Sequence, residues 1–175
     1  MDKKLRLGII GVGNMGTAHI ENYLAKKMPE IEITCIADID EKRLDSAKKK
    51  LPDVTTFSDA SSLIKSGLCE AVLIATPHYV HPSIAIEALE NNLHVMSEKP
   101  AGVYTKQVRE LLEVASKSDK TYTLMLNQRT NCVYRKMKEL VSSGKYGEIR
   151  RVSWIITDWF RTQQYYNSGG WRATW

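Results

Sequence analysis

The stretch Leu5–Gly16, LRLGIIGVGNMG, decides how the rest of the chain is read. Its first six residues are almost wholly aliphatic, as expected of a strand covered on both faces. Glycines then stand at 11, 13 and 16, and a helix follows with Ile20, Tyr23, Leu24 and Met28 along one face, up to Pro29. Alone, a G-x-G-x-x-G pattern is weak; between a strand and a helix it has the context that dinucleotide binding requires. Gly11 permits the tight turn, Gly13 lets backbone approach a pyrophosphate, and Gly16 lets the helix pack on the strand. The helix start offers free N–H groups and a partial positive charge to phosphates. Gly11, Gly13, Asn14, Met15 and Gly16 are therefore the candidate phosphate cradle.

Outward from that loop, IEITCIAD forms a second strand from Ile31 that closes on Asp38, 22 residues beyond Gly16. A carboxylate there can bond both hydroxyls of a ribose and repels a 2′-phosphate, so NAD is preferred over NADP. Ile39 stands where an NADP enzyme often places Arg, and Lys42 and Arg43, a turn on, read as solvated. A methyltransferase shares a glycine loop and an acid after the second strand, but with a different loop, and dinucleotide binding fits better.

The alternation continues. Asp40 caps a helix over 41–50, a short strand spans 55–57, and Ser58 or Asp59 caps a helix ending at Gly67. A fourth strand over 71–75 precedes a helix from Pro82 to Leu89, and a fifth over 93–97 precedes a helix over about 105–117. The sixth strand spans 121–126. Continuous apolar strands alternating with amphipathic helices predict an α/β domain, residues 1–126, with a doubly wound parallel Rossmann sheet. Residues 127–175 read as the start of an incomplete α+β second domain. It has a helix with Val133, Met137, Leu140 and Val141 on one face, ended by Gly144, then a long strand over Glu148–Trp159, then loop from QQYY onward. Without a sheet to join, that strand would expose Trp154, Ile156 and Trp159, and self-association through it, or loss of order, is expected.

Composition narrows the class. The 175 residues are 43% hydrophobic and 26% charged, enough for a core and ordinary for a globular chain. No apolar run approaches the roughly 20 residues of a membrane span, and the N-terminus has no secretory pattern, so a cytoplasmic protein without membrane partners is expected. The net charge of +5 is scattered apart from Lys3–Arg6 and Lys48–Lys50, so no nucleic-acid partner is expected. Cys35, Cys69 and Cys132 are far apart and lack ligand spacing. His78 and His81 stand at i, i+3 without a third candidate, and no metal is expected.

Taken with GVGNMG and Asp38, the segments Thr76–His81 (TPHYVH), Glu98-Lys99-Pro100 after LHVMS, NQRTN at 127–131 and SGGWRATW at 168–175 resemble the Gfo/Idh/MocA family, relatives of glucose–fructose oxidoreductase and inositol dehydrogenase. The resemblance covers essentially the whole chain. It implies an NAD(P)-dependent CH–OH oxidoreductase acting on a sugar, cyclitol or related polyol, a homo-oligomer when complete. It places Lys99, the catalytic candidate, between nicotinamide and substrate, where a buried ammonium can relay the hydroxyl proton or polarise a carbonyl. It also implies that Thr76, Pro77, His78 and His81 border the cofactor, that Glu98 holds the loop near the nicotinamide ribose, that Asn127 and Arg129 lie close to the cofactor where the chain crosses between domains, and that Trp171 and Arg172 approach it from the second domain. Family members are longer than 175 residues, so an N-terminal part is expected; a non-catalytic NAD-binding module, or an oxidoreductase completed by another chain, are the alternatives. Many relatives have proline where Cys132 stands.

Overall fold

A computed structural model describes residues 3–157 and 160–167. The chain divides into two compact units, Met1–Leu126 and Asn127–Trp175.

In the first unit, β1 (Leu5–Ile10) leads into α1 (Asn14–Leu24), β2 (Ile31–Ala37), α2 (Glu41–Lys50), β3 (Thr55–Phe57), α3 (Ala60–Ile64) and β4 (Ala71–Ile74). A 3-10 turn over His78–Val80 precedes α4 (His81–Glu90), β5 (His94–Glu98), α5 (Thr105–Lys117) and β6 (Tyr122–Met125). All strand pairs are parallel, in the order β3-β2-β1-β4-β5-β6. That is the order of a doubly wound dinucleotide-binding sheet, whose direction of winding reverses between β1 and β4.

Alternation along the strands divides the core between the two faces. Leu7, Ile9, Ala71 and Leu73 pack with Ile20 of α1 and Leu44 and Ala47 of α2. Ile10, Val72, Ile74 and Val95 face Leu63 of α3, Ala85 and Leu89 of α4 and Leu111 of α5. Local signals agree with this placement. Asp40 caps α2 by accepting from the Lys42 N–H at 3.0 Å, Asp59 caps α3 from the Ser62 N–H at 2.8 Å, and Lys48–Lys50 end α2 where its dipole favours cations. The helix expected up to Pro29 stops at Leu24, because Lys26 turns the backbone left-handed (φ 57°).

The second unit departs further from expectation. α6 (Cys132–Ser142) forms, capped by Asn131 accepting from the Val133 N–H at 2.9 Å, with Val133, Met137, Leu140 and Val141 all exposed. The strand expected over Glu148–Trp159 is absent across 148–157; Asp158 and Trp159 lie outside the described residues. Ile149, Val152, Trp154, Ile155 and Ile156 are exposed there. β-branched composition makes a strand only when a partner supplies hydrogen bonds and cross-strand packing, and among the described residues no partner pairs with this segment. Conversely, part of the expected loop is α7 (Gln163–Asn167), started by Thr162, whose hydroxyl oxygen accepts from the Tyr165 N–H at 3.3 Å.

Candidate functional site

Strand register gathers the candidate residues of the first unit at one edge. Ile10 pairs with Ala37 and Ile74, Ile74 with Ser97, and Glu98 with Met125, so Gly11, Asp38, Thr76 and Lys99 all stand at or just beyond the strands' carboxyl ends. In open sheets of this kind ligands bind at that edge, in the crevice where the winding reverses.

The glycine loop is built for close approach. Gly11 has φ +92°, and a Cβ there would come within 2.8 Å of the Ala75 carbonyl group. A Cβ on Gly16 would overlap the Gly11 carbonyl oxygen, so the first turn of α1 rests directly on the loop. Gly13 differs: a Cβ there would meet only the Arg43 Nη1, at 3.7 Å. No side chain caps α1, so the N–H groups of its first turn remain for a ligand, and Asn14 and Met15 beside them are exposed. Space above Gly13 and uncapped N–H groups fit a pyrophosphate.

Asp38 is buried, and its Oδ2 accepts from the Val12 N–H at 2.8 Å while its Oδ1 accepts from the Asp40 N–H at 2.9 Å. A carboxylate has about four lone-pair sites, so capacity remains for ribose hydroxyls. Arg43 is not simply solvated as expected: its Nη1 lies 3.8 Å from Asp38 Oδ1 and its Nε 3.4 Å from Asp40 Oδ2.

At the other strand ends, two histidines brace the loops. His81 is fully buried, with Nδ1 2.8 Å from the Pro100 carbonyl oxygen and Nε2 2.8 Å from that of Thr76. It ties the loop after β4 to the one after β5, both its ring nitrogens facing those carbonyl oxygens. His78 packs edge-on against it, and Pro77 is exposed. The Thr76 hydroxyl oxygen is buried without a hydrogen-bond partner among the described residues, as fits a group awaiting a ligand. His19, on α1, places its Nε2 3.0 Å from Glu98 Oε1. The His19 ring holds the Glu98 carboxyl below the usual carboxylate range, against the opposing effect of burial. Glu98 thus anchors its strand end, and Lys99 beside it is exposed, with a cis peptide to Pro100.

Asn127 and Arg129 belong to the second unit, in a 3-10 turn over Asn127–Thr130. Trp171 and Arg172 lie outside the described residues. The sequence reading missed His19 and took Arg43 for a surface charge. The Asp40–Arg43 spacing of i, i+3 is a signal for the second; nothing local marks His19, whose partner is 79 residues away.

Residues 5–126 match the family model described as "Oxidoreductase family, NAD-binding Rossmann fold". The chain belongs to the Gfo/Idh/MocA oxidoreductase family. Its first unit is therefore the family's NAD-binding Rossmann domain. Among curated relatives, a myo-inositol 2-dehydrogenase of Thermotoga maritima is 31% identical over 144 residues, 82% of this chain and 42% of the relative. An inositol 2-dehydrogenase of an Arthrobacter species is 27% identical over 150 residues, 85% of this chain and 44% of the relative. The chain thus spans less than half the length of these relatives. Among solved structures, scyllo-inositol dehydrogenase from Lactobacillus casei with bound NAD(H) and scyllo-inositol superposes with a TM-score of 0.79 at 29% identity, over 83% of this chain and 43% of that one. Among the described residues no helix is long and apolar enough to cross a membrane.

Proposed function

We propose that this chain supplies the cofactor-binding half of a dehydrogenase that moves hydride between NAD and a carbinol carbon of a cyclitol or sugar. The observation that carries the reading is the convergence of the glycine loop, Asp38, the unpartnered Thr76 hydroxyl and Lys99 on one strand edge, with two histidine braces behind the last two. NAD, when bound, accepts or returns the hydride. The α1 N–H groups hold its pyrophosphate, Asp38 its ribose hydroxyls, and Thr76 lies along its path. Pro77, His78 and Glu98 shape the nicotinamide end. Lys99 handles the proton at Nζ: the ammonium donates to a carbonyl oxygen in reduction, and the amine accepts from the hydroxyl in oxidation. Residues 127–175 begin the substrate and oligomerisation domain, and Asn127, Trp171 and Arg172 are its candidates for cofactor contact. The inositol dehydrogenase relatives favour a cyclitol, and a cytoplasmic homo-oligomer is the setting expected for such an enzyme.

NADH titration of the chain, followed by nucleotide fluorescence, tests the site; no binding would sink it. Turnover of inositols and aldoses with NAD, followed at 340 nm with Lys99 intact and as Lys99→Met, tests the chemistry. Lys99→Met is expected to abolish turnover and leave NADH affinity within about threefold, a change of less than 1 kcal/mol. Unchanged turnover would remove Lys99 from the mechanism. NADH binding without turnover in any preparation of the complete protein would favour a non-catalytic nucleotide-binding module.

A further inference from the structure

The edge of the sheet opposite the glycine loop holds a cavity of about 400 Å³. It lies where β1, β4, β5 and β6 begin. The Glu70 N–H donates to the Arg6 carbonyl oxygen at 2.8 Å there, and the His94 N–H to that of Glu70 at 3.1 Å. The basic run Lys3–Arg6 therefore meets Lys120 and His94 at this edge. Three ammonium groups, those of Lys3, Lys4 and Lys120, line the cavity against a single carboxylate, Glu70. That carboxylate is already engaged. Its Oε1 accepts from Lys3 Nζ at 2.7 Å, and its Oε2 accepts from the Arg6 N–H at 3.3 Å and lies 3.4 Å from Arg6 Nε. The Lys3 ammonium, with the Arg6 N–H behind it, holds the Glu70 carboxyl down at about 2, so it stays charged and paired.

The remaining donors are free. Lys4 and Lys120 have no acidic partner among the described residues, and Lys120 is half-buried. An ammonium partly withdrawn from water is stabilised by an anion that replaces the lost hydration. His94 adds a neutral donor. The Thr121 N–H donates to its Nδ1 at 3.1 Å, so Nδ1 carries the lone pair and the ring proton sits on Nε2. That Nε2 has no hydrogen-bond partner among the described residues. Asn92, held left-handed (φ 61°) at the turn before β5, brings a side-chain amide to the same cavity.

We propose that this cavity binds a small organic di- or trianion, carrying phosphate or carboxylate groups, as a ligand separate from the nucleotide. Lys4 and Lys120 supply charge-assisted contacts, the His94 Nε2–H supplies a directed one, and Leu5 and Leu93 offer apolar surface to the carbon skeleton. The nucleotide does not reach this edge. The six residues of β1, about 20 Å of strand, separate the cavity from the glycine loop. The two ligands are therefore expected to bind independently, and failure of this site leaves the nucleotide site untouched.

Calorimetric titration of the chain with inorganic phosphate and, separately, with citrate tests the site. It is repeated on the double variants Lys4→Gln/Lys120→Gln and Lys48→Gln/Lys49→Gln. The second pair removes the same charge from the end of α2, outside the cavity. NADH titration and thermal unfolding of each preparation serve as fold controls. At least one anion is expected to bind the unaltered chain with a dissociation constant below about 1 mM at about 0.15 M salt. Lys4→Gln/Lys120→Gln is expected to weaken it about tenfold or more. Lys48→Gln/Lys49→Gln is expected to weaken it less than about twofold, because salt screens exposed charges beyond about 8 Å. Binding of phosphate alone assigns the site to a phosphate ester, of citrate alone to a polycarboxylate, and of both to the chemistry they share. Equal weakening by the two double variants would mark a diffuse basic surface and overturn the proposal. So would failure of both anions to bind the unaltered chain below about 1 mM.

Discussion

Gly13→Ala separates the two reasons a glycine can stand in a loop, because here geometry predicts opposite outcomes for binding and stability. Gly13 is extended, with φ −69° and ψ −157°, and does not need the positive φ that favours glycine. A Cβ added there would meet only the Arg43 Nη1, at the ordinary contact distance of 3.7 Å. In the free protein two small terms oppose each other. Alanine restricts the unfolded chain, worth about 0.4–1 kcal/mol, and is a poorer N-cap than glycine by about 0.5–1 kcal/mol. They nearly cancel, so the melting temperature should stay within about 2 °C. Binding should not survive. A methyl group between the start of α1 and a pyrophosphate stretches at least two N–H···O⁻ contacts beyond hydrogen-bond range, each worth about 1.5–3 kcal/mol. The loss is then about 3 kcal/mol or more, over a hundredfold in affinity. NADH titration and thermal unfolding of the same preparation read both quantities. NADH affinity within threefold of the unaltered chain, at an unchanged melting temperature, would show that the phosphates do not pass over Gly13.

Gly16→Ala should do the reverse of a pure binding lesion: its Cβ overlaps the Gly11 carbonyl oxygen, so α1 must move, at a cost of about 1–3 kcal/mol in stability measured by urea unfolding; an unchanged midpoint would contradict the packing described. Glu98, held below its ordinary range by His19, contributes stability that is fully present above its unfolded value, about 4.3, and lost as pH falls through its lower folded value. Unfolding midpoints from pH 7 to 3 should therefore fall less steeply in Glu98→Gln, and identical slopes would refute the pairing. Of the three thiols, Cys132 is exposed and Cys35 and Cys69 are buried, so a thiol reagent should label one site in the folded protein and three after unfolding; fast labelling of more than one in the folded chain would count against the core.

Most of the first unit was legible because its information is local. AVLI at 71–74 is apolar throughout, and the sheet buries it completely; Asp40 and Asp59 precede their helices and cap them. The glycine spacing and Asp38 were legible for the same reason, since a strand and a helix start fix them relative to each other. What sequence concealed were relations made by tertiary packing. Nothing near His81 in the sequence shows that its two ring nitrogens face the carbonyl oxygens of Thr76 and Pro100. His19 meets Glu98 only because β1 and β5 end at the same edge of the sheet. EIRRVSWIIT at 148–157 fails for the complementary reason: alternation and β-branching report a strand's fitness for a sheet, and no sheet edge among the described residues receives it.

On the proposed reading, binding and turnover are separable demands. Every group assigned to the phosphates and to the adenine-side ribose belongs to the first unit and is held there by that unit's own contacts, from the Gly16–Gly11 packing to the Val12–Asp38 hydrogen bond. Nucleotide affinity should therefore follow the stability of the sheet and its glycine loop. Lys99 stands on different terms. It is anchored from behind by Glu98 and by the His81 bond to Pro100, yet it is exposed. Hydride transfer gains from a site closed to water, where fixed charges act at full strength. Braces that fix Lys99 while leaving it open serve positioning, so substitutions at His19 or His81 should disturb turnover through the placement of Lys99 while Asp38 and the glycine loop keep their hold on the nucleotide.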